Sequence, residues 1–482
     1  MNQELFDRVK SISSQLEEEA PMSDERRDLF EEFISLFETY PLFWLQYIRE
    51  ELKANEEERA LKLFYRCLPN VPNVELFLEY LNYVSKTCTD KSKICAAYEY
   101  ALANVGYDMG AIQIYYKYVE FAEQAGPQIV PINELRHIYW RALLIPMDGL
   151  QEFHTKYKTW EHSKSENLAS QLLPEQERHF KATAGVYHTK KRYQKQLQCT
   201  LCTMQKGGFD SLHRWRLFIE YEKTNPLGSN PETLRAYVIY AYKCALMSLR
   251  YCSILWHEYA QFLVQIDDSN EAIHIYAQAI KIIPDNLMLH FTYAELLESR
   301  KRAGEALQVY RDLIARSEDN PSHYTLSTIQ YLKFLQRKEG PIAMRKEFIQ
   351  AIETGRCTYH LFLAIASIEN SVNMNVTAAL KILQLGLQKY GNETSFLEAT
   401  IQMLIKMNAD EVVIQVMEKA KSELPGEKLI EMYKILLQHL LFCRGKEEAL
   451  QNTINEILKF DPTETPDKMT LRQFYLPVDF NE

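Results

Sequence analysis

Glycine is scarce in this sequence, with 15 residues among 482. A Rossmann-like or β-sandwich protein of this length normally needs more glycine for its turns. Alternating runs of β-branched residues are also few, whereas leucine, glutamate, lysine and alanine are abundant, and these residues favour helices. The sequence therefore predicts a mostly helical protein. Its hydrophobic content of 46% is ample for a core and excludes a globally disordered chain.

The sequence also lacks a long apolar run and a basic-then-apolar N-terminus. We therefore expect neither a membrane span nor a signal peptide. Its nine cysteines are scattered and odd in number, which is typical of a reducing compartment. The net charge of −10 argues against binding of polyanions by bulk electrostatics. These features predict a soluble intracellular protein.

Motifs of enzymes and metal sites are missing as well. There is no Gly-x4-Gly-Lys-Ser/Thr phosphate loop, no His-Glu-x2-His and no Gly-x-Ser-x-Gly. Cys199 and Cys202 in CTLC have the spacing of metal ligands, but no second Cys or His pair follows at the distance of a zinc finger. Two ordinary thiols in a linker is the better interpretation. We expect no catalytic residues, no cofactor and no metal.

A recurring pattern is what the sequence does contain. RHIYWRALLIPM reads Tyr-x-Arg-Ala-Leu-x-x-Pro, with Tyr139, Arg141 and Pro146 at its marked positions. Arg66 takes the arginine position in LFYRCLP, and Tyr276 takes the tyrosine position in IYAQAIKIIP. AYEYAL and AYKCAL are further copies, and VYRDLI, EFIQAI and ILQLGL are weaker ones. We interpret this pattern as a helix in which alanine permits close approach of a neighbour and proline ends the helix.

A second pattern precedes each copy of the first. It places aromatic residues three apart and often ends in glutamate. Its clearest members are Trp44, Tyr47 and Glu51; Tyr157, Trp160 and Glu161; Trp215, Phe218, Tyr221 and Glu222; and Trp256 with Tyr259. Positions i, i+3 and i+7 share one helical face, so these aromatics predict a buried stripe and not a platform for stacking bases.

The two patterns alternate along the chain. The first residues of successive copies of the aromatic pattern are mostly 33 to 41 residues apart, with one gap of 61 residues between His154 and Trp215. A pair of helices cannot bury both its faces alone, so such pairs stack into a solenoid. The predicted fold is an all-α superhelix of about eleven helix pairs.

The glutamates that end the stripes sit beside an apolar face, so they should not be buried unpaired. We expect Glu51, Glu161 and Glu222 to bond to tyrosine hydroxyls or to arginines of neighbouring helices, with Arg66 and Arg141 as candidates. The basic clusters HTKKRYQK (188–195) and SRKRAG (299–304) either touch RNA or act as import signals, or else lie on solvated helix faces.

The paired patterns resemble the half-a-TPR (HAT) repeat. Four further segments narrow this resemblance, namely YWRALLIPMDGLQEFHTKYKTWE, WRLFIEYEKTNPLGSN, STIQYLKFLQRKEG and GLQKYGN. They are similar, in order and in spacing, to segments of the large HAT-repeat subunit of cleavage stimulation factor, the suppressor-of-forked family. His154 and Thr328 replace aromatics of the HAT pattern, and the last repeats have lost most of it.

The resemblance implies a function and partners. It implies a non-catalytic nuclear scaffold of pre-mRNA 3′-end cleavage and polyadenylation. The implied partners are an RNA-recognition-motif subunit, a WD-repeat subunit and the cleavage and polyadenylation specificity factor, with RNA contacted mainly through them. The alternative is a HAT scaffold of a splicing or ribosome-biogenesis particle, against which the Asn-Pro-Leu and Lys-Tyr-Gly segments argue.

The resemblance also implies two sub-arrays, HAT-N and HAT-C, and a homodimer formed through HAT-C. A Gly-Gly pair lies inside the one long gap between repeats and supports a boundary near residue 208. We therefore expect HAT-N over residues 1–207, HAT-C over 208–460 and a C-terminal tail over 461–482. Dimer contacts are expected at about 330–460, where the repeat pattern is most eroded.

Overall fold

A computed structural model gives the fold, and it describes residues 11–12, 14–16, 22–197, 209–423, 425–440 and 446–460. No strand occurs among these residues. Between residues 24 and 460 they form 23 helices, which we label in chain order. The helices are α1 (Asp24–Leu36), α2 (Pro41–Lys53), α3 (Glu57–Cys67), α4 (Val74–Thr87), α5 (Lys91–Val105), α6 (Ile112–Ala125), α7 (Ile132–Leu143), α8 (Leu150–Lys164), α9 (Glu166–Gln196), α10 (Phe209–Lys223), α11 (Pro231–Ser248), α12 (Ser253–Gln265), α13 (Ser269–Ile282), α14 (Leu287–Ser299), α15 (Ala303–Arg316), α16 (Pro321–Lys338), α17 (Pro341–Glu353), α18 (His360–Ser371), α19 (Val376–Tyr390), α20 (Thr394–Lys406), α21 (Asp410–Glu423), α22 (Gly426–Leu440) and α23 (Glu447–Phe460).

After α1, the helices fall into eleven consecutive pairs, from α2–α3 to α22–α23, and the two members of every pair contact each other. We number these pairs as repeats 1 to 11. Within each compact unit, first helices of several successive repeats also touch, for example α2 with α4, α4 with α6 and α16 with α18. This arrangement is the predicted all-α array of helix pairs.

Local sequence sets the ends of the helices. The side chains of Asn73, Asp90 and Asn286 each accept a hydrogen bond from a backbone N–H in the first turn of the following helix. Pro41 and Pro321 stand at the first position of their helices, where no N–H is needed. The helix-ending prolines also behave as predicted, since α7 ends at Leu143, shortly before Pro146, and α13 ends at Ile282, shortly before Pro284.

The turn between the two helices of a repeat often contains a residue in the left-handed backbone conformation. Every described non-glycine residue with positive φ follows a first helix, and four of the six are Asn or Asp, the side chains that tolerate this conformation best. They are Asn55, Asn225, Asp267, Lys301, Met374 and Asn408. Lys301 and Met374 are therefore unusual for their position.

The gap of 61 residues has a simple cause. The second helix of repeat 4, α9, contains Pro174 and takes up 31 residues of this gap. The predicted sub-array boundary near residue 208 lies outside the described residues and stays a prediction. By contacts between backbones, the chain forms two compact units, Met1–Pro284 and Asp285–Glu482.

Within the first unit, the turn after α11 returns to the start of the array. The Thr39 hydroxyl donates to the Met247 carbonyl at 3.0 Å, and the Tyr251 hydroxyl donates to the Leu36 carbonyl at 3.0 Å. Arg250 forms an ion pair with Glu38. Residues more than 200 positions apart in sequence are thus joined directly.

Candidate functional site

The aromatic residues picked out from the repeat pattern form the core of the array. Most are buried, and two are half-buried, namely Phe218 and Tyr221. The buried ones are Trp44, Tyr47, Tyr139, Tyr157, Trp160, Trp215, Trp256, Tyr259 and Tyr276, together with Pro146. Burial raises the pKa of Tyr157 to about 12, as expected for a phenol removed from water. The buried members therefore pack as a stripe in the interior, as their spacing predicts.

Trp44 and Trp256 each form a hydrogen bond of the same kind. The Trp44 indole donates to the Glu38 carbonyl at 2.7 Å, and the Trp256 indole donates to the Arg250 carbonyl at 2.6 Å. Each carbonyl lies six residues before its tryptophan, in the loop that enters the first helix. The indole therefore fixes the angle at which one repeat follows the previous one.

The stripe glutamates form buried ion pairs between repeats. Glu51 is fully buried and accepts two hydrogen bonds from Arg27, at 2.7 and 3.0 Å. Glu161 is fully buried and accepts two from Arg136, at 2.9 and 2.8 Å. The predicted pairing with arginines of neighbouring helices is thus confirmed for Glu51 and Glu161. Such a partner is required because a buried carboxylate is costly without one.

Arg66 and Arg141 were the wrong candidates for these partners. Both are exposed second-helix residues that pair with Glu31 and Glu99, one repeat earlier, at 2.7 and 2.8 Å. The Arg66 guanidinium also lies 5.4 Å from the centre of the Trp44 ring, and Arg141 lies over an aromatic ring in the same way. They reach a neighbouring repeat as expected, but on its outside and not in its interior.

The true partners share a position that the repeat pattern did not include. Arg27, Arg136 and Arg345 all lie in or just after the first turn of the helix that precedes the glutamate's helix. Each stands 24 or 25 residues before its glutamate. That constant spacing is the sequence signal that could have identified them.

Repeat 9 carries the third of these ion pairs. Arg345 donates two hydrogen bonds of 2.7 Å to Glu369, which is fully buried. Burial works to raise the pKa of Glu369, but the hydrogen bonds from Arg345 and Asn373 outweigh it and hold the pKa below the ordinary glutamate value. The carboxylate is therefore charged at neutral pH.

Glu222 has a different partner because α9 is so long. Its carboxylate pairs with the Lys190 ammonium at 3.1 Å, and both groups are buried. Lys190 also lies 4.6 Å from the centre of the Tyr237 ring. The neighbouring Lys191 pairs with Asp148 at 2.5 Å. Two lysines of the cluster 188–195 therefore hold the fold together, which leaves only Arg192 and Lys195 as its exposed cations.

A half-open cavity of about 690 Å³ lies beside this pair in the first unit. Tyr107, Tyr237, Tyr240 and Trp215 contribute to its walls. The Tyr240 hydroxyl donates to Asp108 at 2.8 Å, which ties α11 to the turn between repeats 2 and 3. The cavity marks where the returning helix α11 meets the early repeats.

The described residues offer neither a metal site nor a membrane span. Cys199 and Cys202 lie outside the described residues. Within the described ranges, no group of three or more His, Cys, Asp or Glu side chains is arranged to hold a metal ion. None of the described helices combines the length and apolar character needed to cross a membrane.

Comparison with known proteins identifies relatives over most of the chain. It is 28% identical to cleavage stimulation factor subunit 77 of Arabidopsis thaliana, over 85% of this chain and 57% of the relative. It is 27% identical to the protein suppressor of forked of Drosophila melanogaster, over 86% of this chain and 62% of the relative. The mRNA 3′-end-processing protein rna14 of Schizosaccharomyces pombe is 23% identical, over 86% and 64%. The chain thus spans about three fifths of the length of these relatives.

A solved structure and a family model give the same assignment. The crystal structure of CstF-77 superposes with a TM-score of 0.60 at 18% identity and covers 90% of both chains, which supports the HAT-repeat solenoid as the fold. The family model described as Suppressor of forked protein (Suf) matches residues 9–443. Because this match covers most of the sequence, the chain belongs to the Suppressor of forked family.

Proposed function

We propose that this chain is a non-catalytic scaffold of the pre-mRNA 3′-end cleavage and polyadenylation machinery. The observation that carries the proposal is the family match over residues 9–443, which spans the helices from α1 to α22. The relatives are named as a cleavage stimulation factor subunit and as mRNA 3′-end-processing proteins. An array of helix pairs that binds several partners at once raises their effective concentration on the transcript.

The proposed partners are an RNA-recognition-motif subunit, a WD-repeat subunit and the cleavage and polyadenylation specificity factor. The proposed location is the nucleus, because these assemblies act on pre-mRNA. Affinity purification of the tagged chain from its own cells, followed by partner identification, tests the proposal. We expect polyadenylation subunits, and recovery of splicing or ribosome-biogenesis particles in their place would refute it.

We further propose that the later repeats, HAT-C, form a homodimer. Second helices of repeats 8, 9 and 10 each expose an apolar side chain, namely Ile349, Leu385 and Ile414, which are about half exposed. Exposed apolar side chains on the equivalent helix of three successive repeats offer a surface that a second copy could bury. Light scattering should give a dimer for the wild type and a monomer for Leu385→Asp. A wild-type monomer at micromolar concentration would contradict this proposal.

The absence of catalysis can be tested directly. Incubation of the purified chain with a labelled pre-mRNA 3′ end should leave the RNA intact. The same RNA should be cleaved when the remaining processing subunits are added. Cleavage by the purified chain alone would require a catalytic site that the repeat pattern does not supply.

A further inference from the structure

The turns inside repeats 7, 8 and 9 present a surface of mixed character. These turns join α14 to α15, α16 to α17 and α18 to α19. They are adjacent, because Arg337 of repeat 8 donates to Glu298 of repeat 7 at 2.7 Å, and the Gln336 amide donates to Asn373 of repeat 9 at 3.2 Å. We call the exposed residues of these three turns the turn strip.

One end of the turn strip is basic. Residues 298–305 and 336–342 hold five basic and three acidic residues, a net charge of +2 in a chain whose total charge is −10. Lys301 and Arg302 are exposed in the turn of repeat 7, and Arg337 and Lys338 are exposed in repeat 8. Three of these cations already pair with glutamates of the strip, because Arg337 and Lys338 contact Glu298 and Arg302 contacts Glu305. These pairs hold the three cations in place at the surface, and the strip keeps its net positive charge.

The other end of the turn strip is apolar and uncharged. Met374 is 81% exposed between Val372 and Val376, which are exposed too, and residues 371–377 contain no charged side chain. Ile342, at the neighbouring turn of repeat 8, is 80% exposed. Apolar side chains form no hydrogen bonds with water, and several of them exposed in adjacent turns are typical of a surface that contacts another molecule.

The backbone gives a second, independent reason to single out these turns. Met374 and Lys301 adopt left-handed conformations, with φ of 52° and 61°. The equivalent turns use Asn55, Asp267 and Asn408, which suit that conformation better. A methionine and a lysine at these positions add nothing to the turn, so their side chains are available to contact a partner.

From this arrangement we infer that the turn strip binds an extended peptide segment of a partner protein, in which acidic residues stand beside an apolar anchor. The acidic residues face Lys301, Arg302, Arg337 and Lys338, and the anchor packs on Met374. Neighbouring helices lie about 10 Å apart, so repeats 7 to 9 span about 20 Å, roughly six extended residues. A nucleic acid fits less well, because its phosphates would find no cation at the apolar end. This inference rests on the scaffold role proposed above.

A peptide selection tests the inference without presupposing a partner. Random twelve-residue peptides are displayed and selected on the full wild-type chain, and the enriched peptides are then measured against variants. We expect enriched peptides with acidic residues next to an apolar one, and at least tenfold weaker binding to Met374→Asn and to Lys301→Asn. Raising the salt from 0.15 to 0.5 M should weaken binding severalfold.

The controls separate the surface from the fold. Asn suits the left-handed turn, so Met374→Asn should melt no lower than the wild type while losing the peptide. Met288→Asn makes the same change at another exposed methionine, at the far end of α14, and should bind the peptide within twofold of the wild type. Selected peptides without the acidic and apolar pattern, or equal binding to Met374→Asn, would overturn the inference.

Two other occupants would also overturn it. If a twenty-residue oligouridylate binds the chain and loses affinity on Met374→Asn, the turn strip is an RNA site. If Met374→Asn turns a dimer into a monomer in light scattering, the turn strip belongs to a second copy. Failure of the inference leaves the proposed function intact as long as polyadenylation subunits still co-purify with the Met374→Asn chain.

Discussion

Removing Arg136 should destabilise this protein far more than removing an exposed arginine. The fully buried carboxylate of Glu161 has two hydrogen bonds from Arg136, and Arg136→Met would leave that charge without a cation to balance it. Breaking one partner of a buried pair costs about 3–5 kcal/mol. Replacing both groups by apolar ones, in Arg136→Met/Glu161→Leu, should recover most of this loss, because the cost comes from the orphaned charge.

The matched control is Arg59→Met, which makes the same substitution in the first turn of another second helix. Arg59 and Glu56 are about half exposed and lie 3.7 Å apart, so this change should cost at most about 1 kcal/mol. Urea unfolding followed by circular dichroism gives the free energy of unfolding for each variant. Tryptophan fluorescence reports the site itself, since Arg136 lies 5.9 Å from the Trp160 ring.

Two results would refute this reasoning. Equal losses for Arg136→Met and Arg59→Met would mean that burial adds nothing to the strength of the pair. A double variant as unstable as Arg136→Met alone would mean that the side-chain volume matters and the unpaired charge does not.

Two further predictions concern single positions. At Gly386 an added Cβ would lie 2.6 Å from the Phe396 ring, so Gly386→Ala should lower the melting temperature. Gly185→Ala, in an open helical site, should raise the melting temperature, because alanine stabilises a helix by up to about 1 kcal/mol relative to glycine. Equal shifts of the melting temperature would contradict the contact. Burial and the charge of Lys158 lower the pKa of His154 below 6.5, and Glu177 opposes them only in part. As the pH drops, the unfolded chain therefore binds this proton before the folded chain does. The free energy of unfolding should then fall as the pH drops through about 6.5. In His154→Phe the urea midpoint should change less between pH 7.5 and 5.5 than in the wild type. The same dependence of the midpoint on pH in both proteins would reject the role of His154.

The repeat architecture could be predicted from the sequence because each repeat carries its own local pattern. Trp44 and Tyr47 lie on one helical face whatever the neighbours do, and Pro146 ends a helix by its own chemistry. The partners of the buried glutamates could not be found in the same way. Arg27 and Arg136 lie outside both patterns, and only the stacking of one repeat on the next brings them to Glu51 and Glu161.

The pairing of Lys190 with Glu222 could not be predicted because it depends on the unusual length of α9. Lys190 looked like one member of a basic cluster, because its sequence neighbours are cations. The long helix α9 carries it into the interior beside Glu222, and no pattern within a single repeat predicts that outcome. The exposed Met374 was likewise absent from the predicted pattern, since the pattern describes what is buried.

The contacts of Thr39 and Leu36 with the turn after α11 bear on how the chain is made. In a plain repeat array each repeat can fold as soon as its neighbour exists. Here the end of α1 and the loop that leads into repeat 1 cannot complete their hydrogen bonds until the ribosome has released Met247 and Tyr251, more than 200 residues later. At about 5–20 residues per second, that wait lasts some 10–40 seconds. We therefore expect nascent chains of this protein to expose the edge of the first repeat to chaperones during synthesis, and repeats 1 to 5 to melt together once the contacts have closed.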